Sequence, residues 1–261
     1  AYKGSYNSLN SFTGDNLDIC FEDITQGWLL NYESWLRAKG NKETTISIQF
    51  RTLRSVYNKA IKRKCVGKEY YPFEDFHINK FNVHTDKRAI SKNDVLKIIS
   101  ADLTGKSEYV KFSRDIFVFS YLCGGINFCD VASLTKENIL NGRLFYVRQK
   151  TGKQINLCLT KNASAIIDKY YKGGKGFLFP ILDVTRHITA TQRENRLHKV
   201  LGQVDKSLKI VAQIAKVDVN LTTYVARHSY ATVLKRSGVP TSIICESLGH
   251  SSERVTQIYL D

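Results

Sequence analysis

LTTYVARHSYATVLKRSGVPTSIICESLGHSSERVTQIYLD, Leu221 to Asp261, gathers an Arg-His pair, a Gly-His turn and a tyrosine into one short segment. Val225 to Leu234 has helical composition. Tyr224 and Arg227, three apart, share one face there, while His228 points about 100° away. Ser237-Gly-Val-Pro240 ends that helix, Thr241 to Leu248 reads as a second short one, and Gly249 is its expected stop. His250 falls in the turn that follows, Ser251 or Ser252 is placed to cap the next helix, and that helix carries Thr256 and Tyr259. A turn histidine and a tyrosine on the following helix can converge on one pocket with Arg227.

Three linked motifs, ARHSYAT (Ala226 to Thr232), SLGHSS (Ser247 to Ser252) and TQIYL (Thr256 to Leu260), with nine residues from His250 to Tyr259, resemble the signature of the tyrosine recombinase (phage integrase) family. The resemblance implies that Arg227 and His250 contact a scissile phosphate and that Tyr259 attacks it. Elementary chemistry agrees. A phosphodiester under attack by a phenolate gathers negative charge, which fixed arginine and histidine donors can stabilise without a metal.

Composition sets the outer bounds. The chain has 261 residues, enough for one large or two small domains, and 43% of them are apolar, which argues against disorder. Lys and Arg outnumber Asp and Glu by 39 to 24, a formal +15 that favours an anionic partner, nucleic acid or an acidic membrane. No long apolar run or signal-peptide pattern is present. Six cysteines are scattered without C-x-x-C spacing, so neither zinc nor a disulfide framework is indicated, and a reduced, cytosolic setting is expected. The first residue is not methionine and none occurs, so a fragment of a longer protein, without some further N-terminal module, is one reading.

Residues 1–86 read as a helical domain after a polar start. Trp28 to Leu36 and Thr44 to Ile61 carry apolar residues at helical spacing, and Trp28 and Trp35 are assigned to the core. From Arg37 to Lys68 ten basic residues face Glu43 as the lone acid. Two readings stand: a basic face laid along DNA, with Lys42, Thr44, Thr45, Arg51 and Arg54 at phosphates or base edges, or a solvated helix surface. The run also loosely resembles the family's core-binding domain. Tyr71-Pro72-Phe73 is expected to close the domain, and Asn79 to Lys87 reads as a linker in which Lys80, His84, Lys87 and Arg88 meet either phosphate or water.

Residues 87–261 read as a mixed α/β domain, so the predicted fold class is mainly α with a small β-sheet. Val95 to Ser100, Tyr109 to Leu122, Asn162 to Tyr171 and the basic Thr191 to Gly202, with Arg193 as a backbone-contact candidate, are expected helices. Leu144 to Gln149 and Gln154 to Leu159 are expected to pair as a hairpin, with Arg148 and Lys150 two apart on one face. Gly173 to Gly176 lacks phosphate-loop spacing, and nucleotide binding is rejected.

The resemblance makes residues 87–261 the catalytic domain and gives Lys150, in RQKTGK, the role of proton donor to the leaving 5′ oxygen. It also exposes two departures. Aligning Asp130 and Leu134 with the family's acid and leucine puts Asn127 where the first catalytic arginine belongs, as in a variant of the mobile-element or conjugative-transposon integrase type. Asparagine supplies neither the charge nor the bidentate fork. Arg148 is the candidate replacement; its other reading is an ordinary exposed strand arginine. Tyr224 stands where a histidine is usual, and it either binds a phosphate oxygen or simply packs; a phenol of pKa near 10 is a poor base at neutral pH.

The expectation is therefore a site-specific recombinase that cleaves and rejoins double-stranded DNA at attachment sites through a 3′-phosphotyrosyl intermediate, integrating or excising a mobile element. No cofactor or metal is called for, because the covalent link conserves the phosphodiester. Further expectations are a homotetramer on synapsed DNA, a monomer when free, and a place in the bacterial cytoplasm at the nucleoid. A non-catalytic DNA-binding relative and a type IB topoisomerase-like enzyme stay open.

Overall fold

The computed structural model describes residues 2–83, 88–174 and 176–260. The chain divides into two compact units, Ala1–Asp86 and Lys87–Asp261.

The first unit is built from α1 (Tyr2–Phe12), α2 (Gln26–Ala38) and α3 (Glu43–Lys62). Thr25 caps α2 by accepting from the Trp28 amide. The apolar stripe of α3 buries Ile46, Phe50, Leu53, Tyr57 and Ala60 against Leu29, Tyr32 and Leu36 of α2, and Trp28 and Trp35 lie half-buried against this core as expected. Helix α1 was not legible, because its sequence YKGSYNSLNSF is too polar to show a stripe; it docks through Leu9 and Phe12, whose ring meets Trp28 at 5.1 Å and Trp35 at 5.5 Å.

The Tyr71-Pro72-Phe73 turn does not close this unit. Phe73, Phe76, Ile78 and Phe81 are all buried in its core, and Phe81 stacks on Phe50 at 5.4 Å. The expected linker therefore begins too early at Asn79, its apolar anchors having been masked by polar neighbours. Lys80 is spent on an ion pair with Glu33 at 2.5 Å. His84 and Lys87 lie outside the described residues.

The second unit runs α4 (Lys92–Ile99), α5 (Glu108–Leu122), α6 (Phe128–Ser133), β1 (Ile139–Leu140), β2 (Arg143–Val147), β3 (Gln154–Cys158), α7 (Lys161–Tyr170), α8 (Ala190–Ile214), α9 (Thr223–Arg236), α10 (Thr241–Ser247) and α11 (Glu253–Leu260). Helix α5 is the central post: Ile116, Phe117 and Phe119 are almost wholly buried, and α7, α8 and α9 pack around it. The three strands form an antiparallel sheet in the order β1-β2-β3, with Leu144 opposite Leu157 and Tyr146 opposite Ile155. The fold is mainly helical with a small sheet, as its residue pattern implied.

Two expected bounds shift. Helix α8 continues a further twelve residues past Gly202, to Ile214, because Val204, Leu208 and Val211 extend the buried stripe begun at Val200. Strand β2 stops at Val147, and residues beyond it form the hairpin turn.

Candidate active site

Helix α9 places its polar residues by turn geometry. Arg227, 2% exposed, threads between two loops: Nη1 donates to the Gly125 carbonyl at 2.9 Å, and Nη2 donates to the Leu248 carbonyl and lies 3.0 Å from His250 Nε2. The α5–α6 turn can come this close only because Gly125 has φ +67° and no side chain; a Cβ there would lie 2.7 Å from Arg227 Cα.

Arg148 reaches the same loop from the end of β2. Its backbone N–H donates to the Lys153 carbonyl at 2.8 Å, closing the hairpin turn, and its Nη1 donates to the Gly249 carbonyl at 2.8 Å. Thr151 Oγ1 also donates to Gly249 O at 3.2 Å, and Lys153 Nζ donates to His250 O. Three successive carbonyls, of Leu248, Gly249 and His250, are thus each held by a different cationic side chain. Gly249, at φ +60°, lies under Arg148 and Ile155, where a Cβ would meet Ile155 Cδ1 at 2.8 Å.

Arg148 is 4% exposed, which overturns its reading as an ordinary exposed strand arginine. It also does not share a face with Lys150. The strand ends before either residue, so strand alternation no longer applies, and Lys150 stands exposed in the turn. Asp130 accepts from the Gln149 amide at 3.0 Å and so braces the backbone next to Arg148; burial pushes its carboxyl above the ordinary range. Asn127 caps α6 by position without a side-chain bond and lines a cavity with Tyr224, Arg227, Phe128, Leu197 and Leu201.

Charge dominates the result. Neither Arg148 nor Arg227 is in a salt bridge with a carboxylate among the described residues, and the Nε atom of each is buried without a partner. Burial, then the neighbouring Arg148, lowers the Arg227 pKa. Burial first, then Arg227, Arg148, Lys150 and Lys153, lowers that of His250 to about 4. His250 is therefore neutral at pH 7. An arginine can only donate, so Nε2 accepts from Arg227 and Nδ1–H donates to Thr256 Oγ1 at 2.9 Å. The cluster is a desolvated cationic seat in which, among the described residues, no carboxylate pairs directly with either guanidinium; Asp130 is a nearby buried acid that faces the backbone of Gln149.

Tyr259 enters this seat from α11. Its hydroxyl lies 2.5 Å from that of Tyr224, its ring centre is 5.9 Å from the Arg227 guanidinium carbon, and its ring sits 4.8 Å from that of His250. His228, expected to point away, instead stacks on Tyr259 at 4.4 Å with planes 23° apart. The expectation compared His228 with Arg227; the informative spacing was that with Tyr224, since residues four apart on a helix share a face.

Two family models cover nearly the whole chain: phage integrase SAM-like domain over residues 1–82 and phage integrase family over residues 88–261. The chain belongs to the phage integrase family. It is similar to tyrosine recombinase XerD of Halalkalibacterium halodurans, at 24% identity over 91% of this chain and 77% of the relative. Tyrosine recombinase XerC of Pediococcus pentosaceus is 26% identical over 95% of this chain and 80% of its own length. Its fold is shared with lambda integrase, solved as a dimer bound to a COC′ core site (TM-score 0.70, 16% identity, 99% of this chain and 87% of that one) and as a tetramer bound to a Holliday junction (TM-score 0.69, 16% identity, 99% and 70%). This integrase is accordingly a site-specific DNA recombinase.

The structure of this family member thus brings Tyr259, Arg227, His250, Arg148 and Tyr224 together, with Lys150 at the rim. The sequence reading gave no role to Gly125, Thr151, Lys153, Thr256 or His228. Only the last had a usable signal, its spacing from Tyr224. In the first unit, Lys42 precedes α3, Thr44 and Thr45 occupy its first turn, and Arg51 and Arg54 are exposed along a groove with Ser47, His77 and Asn79. Arg193 is exposed at the start of α8, donating to the His187 carbonyl at 2.9 Å, and Arg88 is exposed. Neither is hydrogen-bonded to the cluster of Arg148, Arg227 and His250 among the described residues. Among the described residues no helix is long and apolar enough to cross a membrane.

Proposed function

We propose that Tyr259 attacks the scissile phosphate of an attachment site in line, from within its own chain, forming a 3′-phosphotyrosyl link and releasing a 5′ hydroxyl. The single observation that carries this reading is the pair of buried guanidiniums, Arg148 and Arg227, left without a carboxylate partner beside the Tyr259 ring. A phosphodiester monoanion would supply the missing charge, with the guanidiniums donating to its non-bridging oxygens. In this account Arg148 takes the place that Asn127 leaves empty.

His250 is the second donor set. An anion arriving beside it opposes the cationic field that keeps its pKa low, so the ring can take up a proton and donate from Nε2 as Arg227 turns to the phosphate. Lys150, held by no hydrogen bond among the described residues, is free to reach the leaving 5′ oxygen and protonate it. The incoming 5′ hydroxyl of another strand reverses the step, and the phosphodiester is conserved throughout.

The wider setting follows from the same reading. The substrate is duplex DNA contacted in part by Lys42, Thr44, Thr45, Arg51 and Arg54 of the first unit and by Lys87, Arg88 and Arg193 of the second, in four protomers at synapsis and one when free. The event is integration or excision of a mobile element in the bacterial cytoplasm. Incubation with a nicked candidate attachment site tests it. A denaturing-gel adduct formed by wild type and absent with Tyr259→Phe supports catalysis, whereas binding without any adduct supports a DNA-binding relative that has lost the chemistry. Relaxation of supercoiled plasmid without sequence preference would instead support a topoisomerase.

A further inference from the structure

Three residues spaced four apart on α9 each touch a different part of Tyr259. Tyr224 meets its hydroxyl at 2.5 Å, His228 stacks on its ring at 4.4 Å, and Thr232 Oγ1 donates to its backbone carbonyl at 3.1 Å. One stripe of one helix therefore holds Tyr259 at its backbone, its ring and its hydroxyl. The ring of His250 also lies against the same phenol, at 4.8 Å and tilted by 42°, so two imidazoles contact Tyr259.

His228 has no catalytic assignment so far, and its geometry excludes the obvious one. The lone pair of an imidazole nitrogen lies in the ring plane, whereas this ring presents its face to Tyr259 with planes only 23° apart. A ring so placed cannot accept the phenol proton. Among the described residues its nitrogens make no hydrogen bond, and the Tyr224 ring packs edge-on against it at 4.7 Å. Burial, with Arg88 and Arg227 nearby, lowers its pKa to about 4, so it is an uncharged plate at neutral pH.

We infer that His228 is a positioning residue, which docks the Tyr259 phenol through its ring face before DNA arrives, and that it takes no part in proton transfer. The inference rests on the reading of Tyr259 as nucleophile. With its ring stacked on His228, its hydroxyl against Tyr224 and its carbonyl on Thr232, the phenol keeps its hydroxyl beside the cationic seat and does not swing into solvent on α11. Misplacing a reacting group by about 1 Å costs on the order of 100-fold in rate.

The test is single-turnover adduct formation at saturating nicked DNA, with Kd, melting temperature and the pH–rate profile measured alongside. His228→Ala is expected to slow adduct formation about 10- to 100-fold with Kd changed less than about twofold. His228→Phe, which keeps a flat ring and loses both nitrogens, should restore most of that rate with an unshifted pH profile. His228→Asn, which keeps a donor and acceptor without a ring, should be as slow as His228→Ala. A Phe variant as slow as the Ala variant, or an Ala or Asn variant at the wild-type rate, overturns the inference. Should His228→Ala not fold, the Phe and Asn variants decide by the same criteria. Tyr259→Phe is run in parallel: an adduct that persists there sinks the nucleophile assignment itself, whatever the His228 variants show.

Discussion

The Tyr224 and Tyr259 hydroxyls lie 2.5 Å apart, brought together from α9 and α11. Two-fifths of Tyr224 is exposed, and partial burial together with the bond to Tyr259 pushes its pKa above the ordinary phenol range. On the proposed reading Tyr224 stays protonated and donates to the attacking Tyr259 oxygen, as a stabilising donor and not the base. A hydrogen bond to a charged group contributes about 1.5–3 kcal/mol, so Tyr224→Phe should slow adduct formation roughly 10- to 100-fold. Single-turnover kinetics on nicked DNA measures this, and a Tyr224→Phe enzyme at full rate would remove Tyr224 from the mechanism.

Arg148 carries the heavier prediction. Removing one preorganised donor to a transition-state oxygen costs about 2.7–4 kcal/mol, so Arg148→Ala should lower the adduct rate by roughly two to three orders of magnitude. The double variant Arg148→Ala, Asn127→Arg should recover part of that loss if both positions address one phosphate. Equal rates for wild type and Arg148→Ala would return the residue to a purely structural role.

Close backbone approach makes Gly125 a structural test of the site. At φ +67°, with an added Cβ only 2.7 Å from Arg227 Cα, Gly125→Ala is strained and also displaces Arg227. The conformational cost alone is about 1–3 kcal/mol. Thermal melting should show a lower transition and the adduct assay a large loss, whereas Gly142→Ala, a glycine with nothing within 4 Å but φ +71°, should lower stability without touching catalysis.

How far the residues foretold this is uneven, and the reasons are local. The helices with clear apolar stripes were legible, as were Arg227, His250 and Tyr259, because short-range spacing governs them. Helix α1 was not, since its few apolar side chains act only by docking on α2 and α3, through Phe12 and Tyr2. The burial of Arg148 depends on Gly249, about a hundred residues away, and no local pattern in RQKTGK encodes that contact. Likewise Thr256 as partner to His250 follows from how α11 folds back over the turn.

Acid should loosen the second unit. His228 and His250 have folded pKa values near 4 against an ordinary 6.5, so above about pH 6.5 neither state is charged and their stabilising effect is complete. As pH falls from 6.5 toward 4 the unfolded chain takes up protons that the folded one refuses, and stability declines. The limit is about 2 kcal/mol per histidine by pH 5. Urea unfolding at pH 7 and pH 5 should show the decline, and replacing His228 by Phe should reduce it.

Salt will separate phosphate contacts from solvated charge on α3. Affinity for duplex DNA should fall steeply with ionic strength, and each of Arg51→Ala and Arg54→Ala should reduce the log–log slope by about one if that residue contacts a phosphate. An unchanged slope would assign those exposed side chains to water.

The most direct measurement is mass spectrometry of the protein–DNA adduct after protease and nuclease digestion. The account predicts a nucleotide remnant on the peptide that begins at Val255 and carries Tyr259, joined through its phenolic oxygen. A remnant on any other residue, Tyr224 included, or a target site cleaved without a protein link would contradict it.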